Sequence, residues 1–257
     1  MNKAVVDILH RTRHFLVINK PPLCYSQPQD YRTKVRNDFG KEGQKTVLEL
    51  VRTAYPDLYE VSPPFCEPKV VQRLDYQVSG AMVLATSEHA VRMFNRGLQN
   101  PKSSKGYKLT KHYMALLNAP YDTISHTNHP AVLWNNDKTP SGVINFPIDN
   151  KPAQTKFRLY PSCGQFTLAM FELITGRKHQ LRVHSKNVLG SAIVGDQKFQ
   201  IQDSHQQNQI ALHAHQLDIH TNIQKRPLSV VAPINWGQQT VWSGLHEHYP
   251  SIFQQLV

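Results

Sequence analysis

The 257-residue chain carries only three cysteines, Cys24, Cys66 and Cys163, far apart and without a C-x-x-C pair. That sparseness argues against a disulfide scaffold and for a reducing compartment in which the thiols have no special role. No run of about 18 apolar residues occurs, so no membrane-spanning helix is expected. Residues 1–20 lack the apolar stretch of a secretory signal; Lys3, Arg11, Arg13 and Lys20 against a single Asp7 give them a mild likeness to a mitochondrial address. Phosphate loops, G-x-G-x-x-G and G-x-S-x-G turns are absent, which removes the common nucleotide-binding and serine-hydrolase signatures. Fourteen histidines are present, but no H-E-x-x-H motif, cysteine pair or carboxylate cluster joins them, so a metal site is not expected. Nor is there the His-x-Glu followed by C-x-x-C of zinc deaminases.

Acidic residues are the other scarce class. Asp plus Glu number 18 against 29 Lys plus Arg, a formal net charge of +11, which favours a polyanionic partner, either nucleic acid or an anionic membrane surface. The base is unevenly placed. Residues 91–112 hold Arg92, Arg96, Lys102, Lys105, Lys108 and Lys111, and residues 173–195 hold Arg177, Lys178, Arg182 and Lys186, both without an acid. Tyr107 and Tyr113 lie beside the first run, and bases stack on such rings. Neither run has the apolar face of a membrane-surface helix, so no membrane partner is expected.

Apolar periodicity predicts strands at 15–18, 70–71, 81–85, 113–117, 157–159, 166–174, 181–184 and 212–219, with Phe166, Leu168 and Met170 on one face of a half-buried strand. Helices are predicted at 46–54, opened by Thr46 with Glu49 three residues later, and at 88–98, and a short helix ends near 187–189 before Gly190. Residues 27–44 and 121–141 read as polar surface loops. The elements show no regular βαβα alternation and no linker divides them, so an α+β domain spanning 1–257 with a mixed, mainly antiparallel sheet is expected.

Two segments concentrate chemistry. Gln72-Arg73-Leu74-Asp75, then Ser79-Gly80, places a carboxylate beside a guanidinium at the mouth of an apolar strand, where the carboxylate stays ionised. A simple loop ion pair satisfies the same four residues. In residues 172–184 an apolar strand meets the Thr175-Gly176-Arg177 turn, and a following strand would put Gln180, Arg182 and His184 on one face.

These motifs, in this order, closely resemble the RluA-type RNA pseudouridine synthases. Asn19-Lys20-Pro21 resembles the end of that family's first strand, and residues 72–75 with Ser79-Gly80 its signature loop. Lys111-His112-Tyr113-Met114-Ala115-Leu116 resembles the Lys-x-Tyr-x-Ala-Leu strand. Residues 175–184 resemble the Thr-Gly-Arg element, followed by Val194-Gly195-Asp196 and the late strand Leu212-His213-Ala214. The agreement runs from about residue 8 to residue 235. The departures are Gln72, where histidine is usual, Lys178, where Thr or Ser is common, and Gln216, where a basic residue is frequent.

The resemblance implies a bent, mainly antiparallel sheet with flanking helices around a central basic RNA cleft, and isomerisation of uridine without metal or organic cofactor. It implies Asp75 as the catalytic aspartate, Tyr113 as the active-site tyrosine and Arg182 as the partner of the aspartate. Arg73, Lys111, Arg177 and Lys178 are the expected RNA contacts. With few residues before the first strand, no S4 domain is expected. Likeness to fungal mitochondrial enzymes, including the Tyr25-Ser26-Gln27-Pro28 loop, favours large-subunit rRNA and a mitochondrial location, and the tendency of the family favours a monomer. A tRNA substrate with a cytoplasmic or nuclear location is the alternative, and a noncatalytic RNA-binding or ribosome-assembly factor is a reading of another class.

Overall fold

The computed structural model describes residues 6–27, 45–59, 67–100, 105–161, 165–199, 209–221, 225–235 and 241–242. Most of the expected 27–44 loop, Cys66, Lys102, Cys163, His246 and His248 lie outside them. The chain divides into two compact units, one of residues 1–109 with 216–233 and one of residues 110–215 with 234–257. All the strand pairings described below are antiparallel, and helices flank the strands, which is the expected α+β class.

In the first unit, β1 (Asp7–Arg11), β2 (Phe15–Lys20) and β4 (Ser79–Ala85) lie side by side, and β3 (Lys69–Val70) also pairs with β4. Every residue of β4 is buried, as its unbroken apolar run Ala81–Ala85 requires of a strand covered on both faces. Helix α1 (Val47–Ala54) starts with the capping box that Thr46 and Glu49 forecast, and buries Val47, Leu50 and Val51 at helical spacing. Helix α2 (Glu88–Gln99) is capped by Ser87 and buries Ala90, Phe94 and Gly97. A Cβ on Gly97 would sit 1.8 Å from the carbonyl oxygen of Tyr107, so only glycine admits that crossing. Phe94 and Tyr107 meet edge to face, 5.2 Å apart, inside a core that includes Phe15, Val17, Val83, Leu217 and Ile219. The last two belong to β10 (Leu212–His220), whose second half pairs with β11 (Leu228–Val231).

In the second unit the strand order is β5 (Lys108–Leu117), β9 (Thr167–Leu173), β8 (Gln154–Pro161), β7 (Ser141–Asn145) and β6 (Val132–Trp134). Along β8, Thr155, Phe157 and Leu159 are buried while Lys156 and Arg158 are exposed, the period-two pattern of a half-covered strand. Strand β9 departs from its sequence reading. Thr167, Ala169 and Phe171 are buried together with Leu168, because β9 lies between β5 and β8 and is covered on both faces.

Two expectations are corrected. The strand expected at 181–184 is the middle of helix α4 (Gln180–Asn187). Alternating Leu181 and Val183 mimic a strand, but polar partners decide the conformation: Gln180, Arg182 and His184 are all buried, each hydrogen-bonded to groups outside the helix. The region 121–141 is not one loop. It contains helix α3 (Tyr121–Ser125), with Ile124 buried, and edge strand β6, and β7 begins at Ser141. Trp134 donates to the Thr127 carbonyl and meets Phe157 edge to face, tertiary anchors that no local pattern announces. Edge strands β1 and β11 also escaped the sequence reading, being short and half exposed.

Candidate active site

Asp75 sits in the first unit, in the turn that leads from β3 into β4, and its carbonyl accepts the Val78 N–H at 3.1 Å. Three neighbours fix this turn from behind. Buried Ser26 accepts the Leu74 N–H at 3.0 Å and donates to the Leu74 carbonyl at 2.7 Å, satisfying both backbone groups of the residue before Asp75. The Cys24 N–H bonds the Tyr76 carbonyl at 3.2 Å. Lys20, at the end of β2, is fully buried, and its ammonium donates to the carbonyls of Pro21 at 2.8 Å and Tyr76 at 3.4 Å.

Burial pulls the Lys20 ammonium down to about 8 from 10.5, opposed by the attraction of Cys24 and of the Asp75 carboxylate. A cation thus stands under the Asp75 turn. The Asn-Lys-Pro motif contained that residue, but nothing local to it signals a buried charge. The Cys24 thiol, buried and bonded to the Lys45 carbonyl, is pushed up to about 11 and is not a nucleophile at neutral pH. Arg73 is exposed. Gln72 accepts the Val83 N–H at 3.3 Å through its side-chain oxygen, so this departure from the family histidine ties the loop to β4.

The other expected residues belong to the second unit. Tyr113 is buried on β5, opposite Phe171 of β9. Lys111, two residues earlier, is on the same side of the strand, and burial lowers its ammonium without a carboxylate to oppose the shift. Its Nζ lies 3.5 Å from where a Cβ on Gly176 would be, placing Lys111 and the Thr175-Gly176-Arg177 turn together.

That turn is held by Gln180. Its side-chain oxygen accepts from the Thr175 hydroxyl at 2.8 Å and the Arg177 N–H at 3.0 Å, and its amide donates to the Gln154 carbonyl and the Thr155 hydroxyl, both at 2.9 Å. Arg177 donates to the Pro152 carbonyl but remains exposed, as does Lys178. His179 adopts a left-handed conformation, φ 55°, at the start of α4. One turn on, His184 bridges the Thr155 hydroxyl and the Phe146 carbonyl, both at 3.0 Å, and burial lowers its imidazole so that it is neutral.

Arg182 is 8% exposed and forms a two-point ion pair with Asp196, which is 1% exposed: Nε to Oδ2 at 2.8 Å and Nη2 to Oδ1 at 2.7 Å. Its Nη1 lies 3.1 Å from His179 Nδ1. Asp196, matched in the sequence only by its spacing, therefore sets the plane of the Arg182 guanidinium. A Cβ on Gly195, at φ +79°, would lie 2.2 Å from the Gln209 carbonyl oxygen, so the residue before Asp196 must be glycine for this carboxylate to be reached.

A rigid carboxylate turn, a buried tyrosine and a guanidinium locked by its own aspartate are chemistry that comparison with known proteins can place. Residues 14–187 match the model of the RNA pseudouridylate synthase family. The chain belongs to that family.

Among individual relatives, it is 31% identical over 199 residues to the 21S rRNA pseudouridine(2819) synthase of Saccharomyces cerevisiae, covering 76% of this chain and 71% of that one. It is 28% identical over 252 residues to the dual-specificity RNA pseudouridine synthase RluA of Pasteurella multocida, covering 89% and 93%. An uncharacterized RNA pseudouridine synthase of Synechocystis is 28% identical over 231 residues, covering 89% of this chain but 65% of that protein's length. The fold is shared with the solved human RNA pseudouridylate synthase domain containing 1, at a TM-score of 0.61, 20% identity, and 98% and 94% coverage. The resemblance to RluA-type enzymes is thereby borne out, and by family the protein is an RNA pseudouridine synthase, an isomerase acting on RNA.

Proposed function

We propose that the protein converts a uridine of large-subunit ribosomal RNA to pseudouridine, in mitochondria, with Asp75 as the catalytic carboxylate and residues 1–257 as one catalytic domain. The observation that carries the catalytic part is the pinned Asp75 turn with the Lys20 ammonium beneath it. The substrate part is supported by the 21S rRNA synthases of S. cerevisiae, Kluyveromyces lactis and Eremothecium gossypii, 31%, 27% and 26% identical to this chain. The relatives named dual-specificity synthases support a second reading, in which more than one RNA is modified.

The reaction breaks the N1–C1′ bond, turns the base and joins C5 to C1′; C5 loses its proton and N1 gains one. Cleavage builds positive character on the ribose, which an ionised Asp75 stabilises or traps. Tyr113 supplies a ring to stack on the uracil and a hydroxyl to assist removal of the C5 proton. Arg182, held in one orientation by Asp196, presents a fixed positive charge to the RNA. The uridine must leave its stack to react, and Arg73 takes the vacated space or a phosphate. Lys111, Arg177 and Lys178 bind phosphates.

Incubating the purified protein with unmodified rRNA and tRNA transcripts, then mapping pseudouridine chemically, tests the assignment. New pseudouridine in large-subunit rRNA alone is the expected result. Modification confined to tRNA overturns the substrate, and modification of neither overturns the activity.

A further inference from the structure

The segment behind the Asp75 turn has features that positioning the carboxylate does not require. After Pro21 and Pro22, Leu23 adopts φ 56° and leaves 39% of its surface in solvent. The left-handed region strains a leucine, because its Cβ crowds the following carbonyl, and strain of this kind persists only where the surroundings enforce it. The surroundings do so here. Cys24 bonds the Tyr76 carbonyl, the Tyr25 N–H bonds the Lys45 carbonyl at 3.3 Å, and the Tyr25 carbonyl accepts the Val47 N–H at 2.7 Å. Tyr76 directly follows Asp75, and its half-buried ring lies against that of Tyr25, centroids 4.5 Å apart and planes 35° apart. A strained, exposed leucine and a tilted, closely packed tyrosine pair therefore flank the residue assigned to the chemistry.

We propose that Leu23, Tyr25 and Tyr76 form a platform that takes a nucleobase next to the uridine acted on by Asp75. This rests on the RNA-isomerase reading of that residue. The occupant is a base rather than an apolar peptide or a lipid. The platform adjoins the carboxylate that must meet RNA, the chain carries a net charge of +11 suited to a polyanion, and aromatic faces stack bases irrespective of sequence. Apolar side chains at such a lip insert between neighbouring bases and hold them apart, which helps keep a flipped nucleotide out of its stack.

The test uses a stem-loop RNA with one loop uridine flanked on both sides by 2-aminopurine, and the Asp75→Asn protein, so that binding is read without turnover. Binding should quench one of the two aminopurines. Tyr76→Leu should abolish that quench and weaken binding by about 5- to 150-fold, while Tyr76→Phe restores both. Leu23→Gly removes the strain along with the side chain. It should leave the melting temperature unchanged or raised while reducing the quench, a combination that a structural role for Leu23 does not produce. Absence of any quench, or the same quench and affinity in Tyr76→Leu and Leu23→Gly, overturns the platform. Pseudouridine formation by the wild-type protein is assayed separately, so failure of the isomerase reading shows as lost product with the quench retained.

Discussion

The turn carrying Asp75 is held through its backbone, by a serine hydroxyl, a lysine ammonium and one N–H, whereas the helix carrying Arg182 is fixed by a buried network of side chains. In the first unit, Ser26, Cys24 and Lys20 hold carbonyls and an N–H of residues 74 and 76, so the turn is gripped through its backbone. In the second, Asp196 grips the Arg182 guanidinium directly, while Gln180 and His184 dock the helix on β8 and its neighbours. The hydrogen bonds of the first arrangement go to backbone groups and survive exchange of the Asp75 side chain. The second makes Arg182 inseparable from the stability of its helix.

That contrast orders the mutational effects. Asp196→Ala should be the most costly change, because it strands a buried guanidinium, about 3 kcal/mol or more in chemical denaturation; a loss no larger than that of an exposed residue would break the contrast. Ser26→Ala leaves both backbone groups of Leu74 without that partner, about 1–3 kcal/mol, and should lower kcat with little effect on RNA affinity. Lys20 adds a pH signature. Its folded value of about 8 lies below the unfolded 10.5, so over that interval the unfolded chain binds more protons at Lys20 and the contribution of this group to stability rises with pH, against the opposite slope of Cys24. Lys20→Met should remove that rise, which amounts to about 3 kcal/mol, as read by denaturant titrations at pH 8 and pH 10.5. Tyr113→Phe should leave RNA binding intact and slow single-turnover isomerisation; an unchanged rate removes the hydroxyl from the mechanism. Smallest in stability are Arg73→Ala and Lys178→Ala, within about 0.5 kcal/mol because both are exposed, yet each should reduce the salt dependence of RNA binding by about one counterion.

The sequence showed the first region more clearly than the second for the same physical reason. Strands β2 and β4 announce themselves by unbroken apolar runs, and α1 by a local capping box, so the frame of the Asp75 turn is readable from neighbours in the chain. Helix α4 is specified by partners 14 to 38 positions away, Asp196, Thr155 and Phe146, and its local alternation of Leu181 and Val183 points to the wrong element. Charge misled in a similar way. Counted along the chain, Arg182 belongs to an acid-free basic run, but Asp196, one residue beyond its end, neutralises it in the fold. The exposed Arg177 and Lys178 remain available to phosphate. Lys20 shows the limit of counting charges most plainly: a single basic residue among apolar neighbours reads as solvated, and only the packing of Pro21 and Tyr76 around it reveals a buried ammonium.

We propose that the Asp75 carboxylate performs the chemistry from a turn whose backbone is held by Ser26, Cys24 and Lys20. Release of tritium from RNA labelled at C5 of uridine, followed in a single turnover alongside RNA affinity, tests this directly. Asp75→Asn should fold, bind RNA like the wild type and release no tritium. Tritium release at the wild-type rate from that variant contradicts the account.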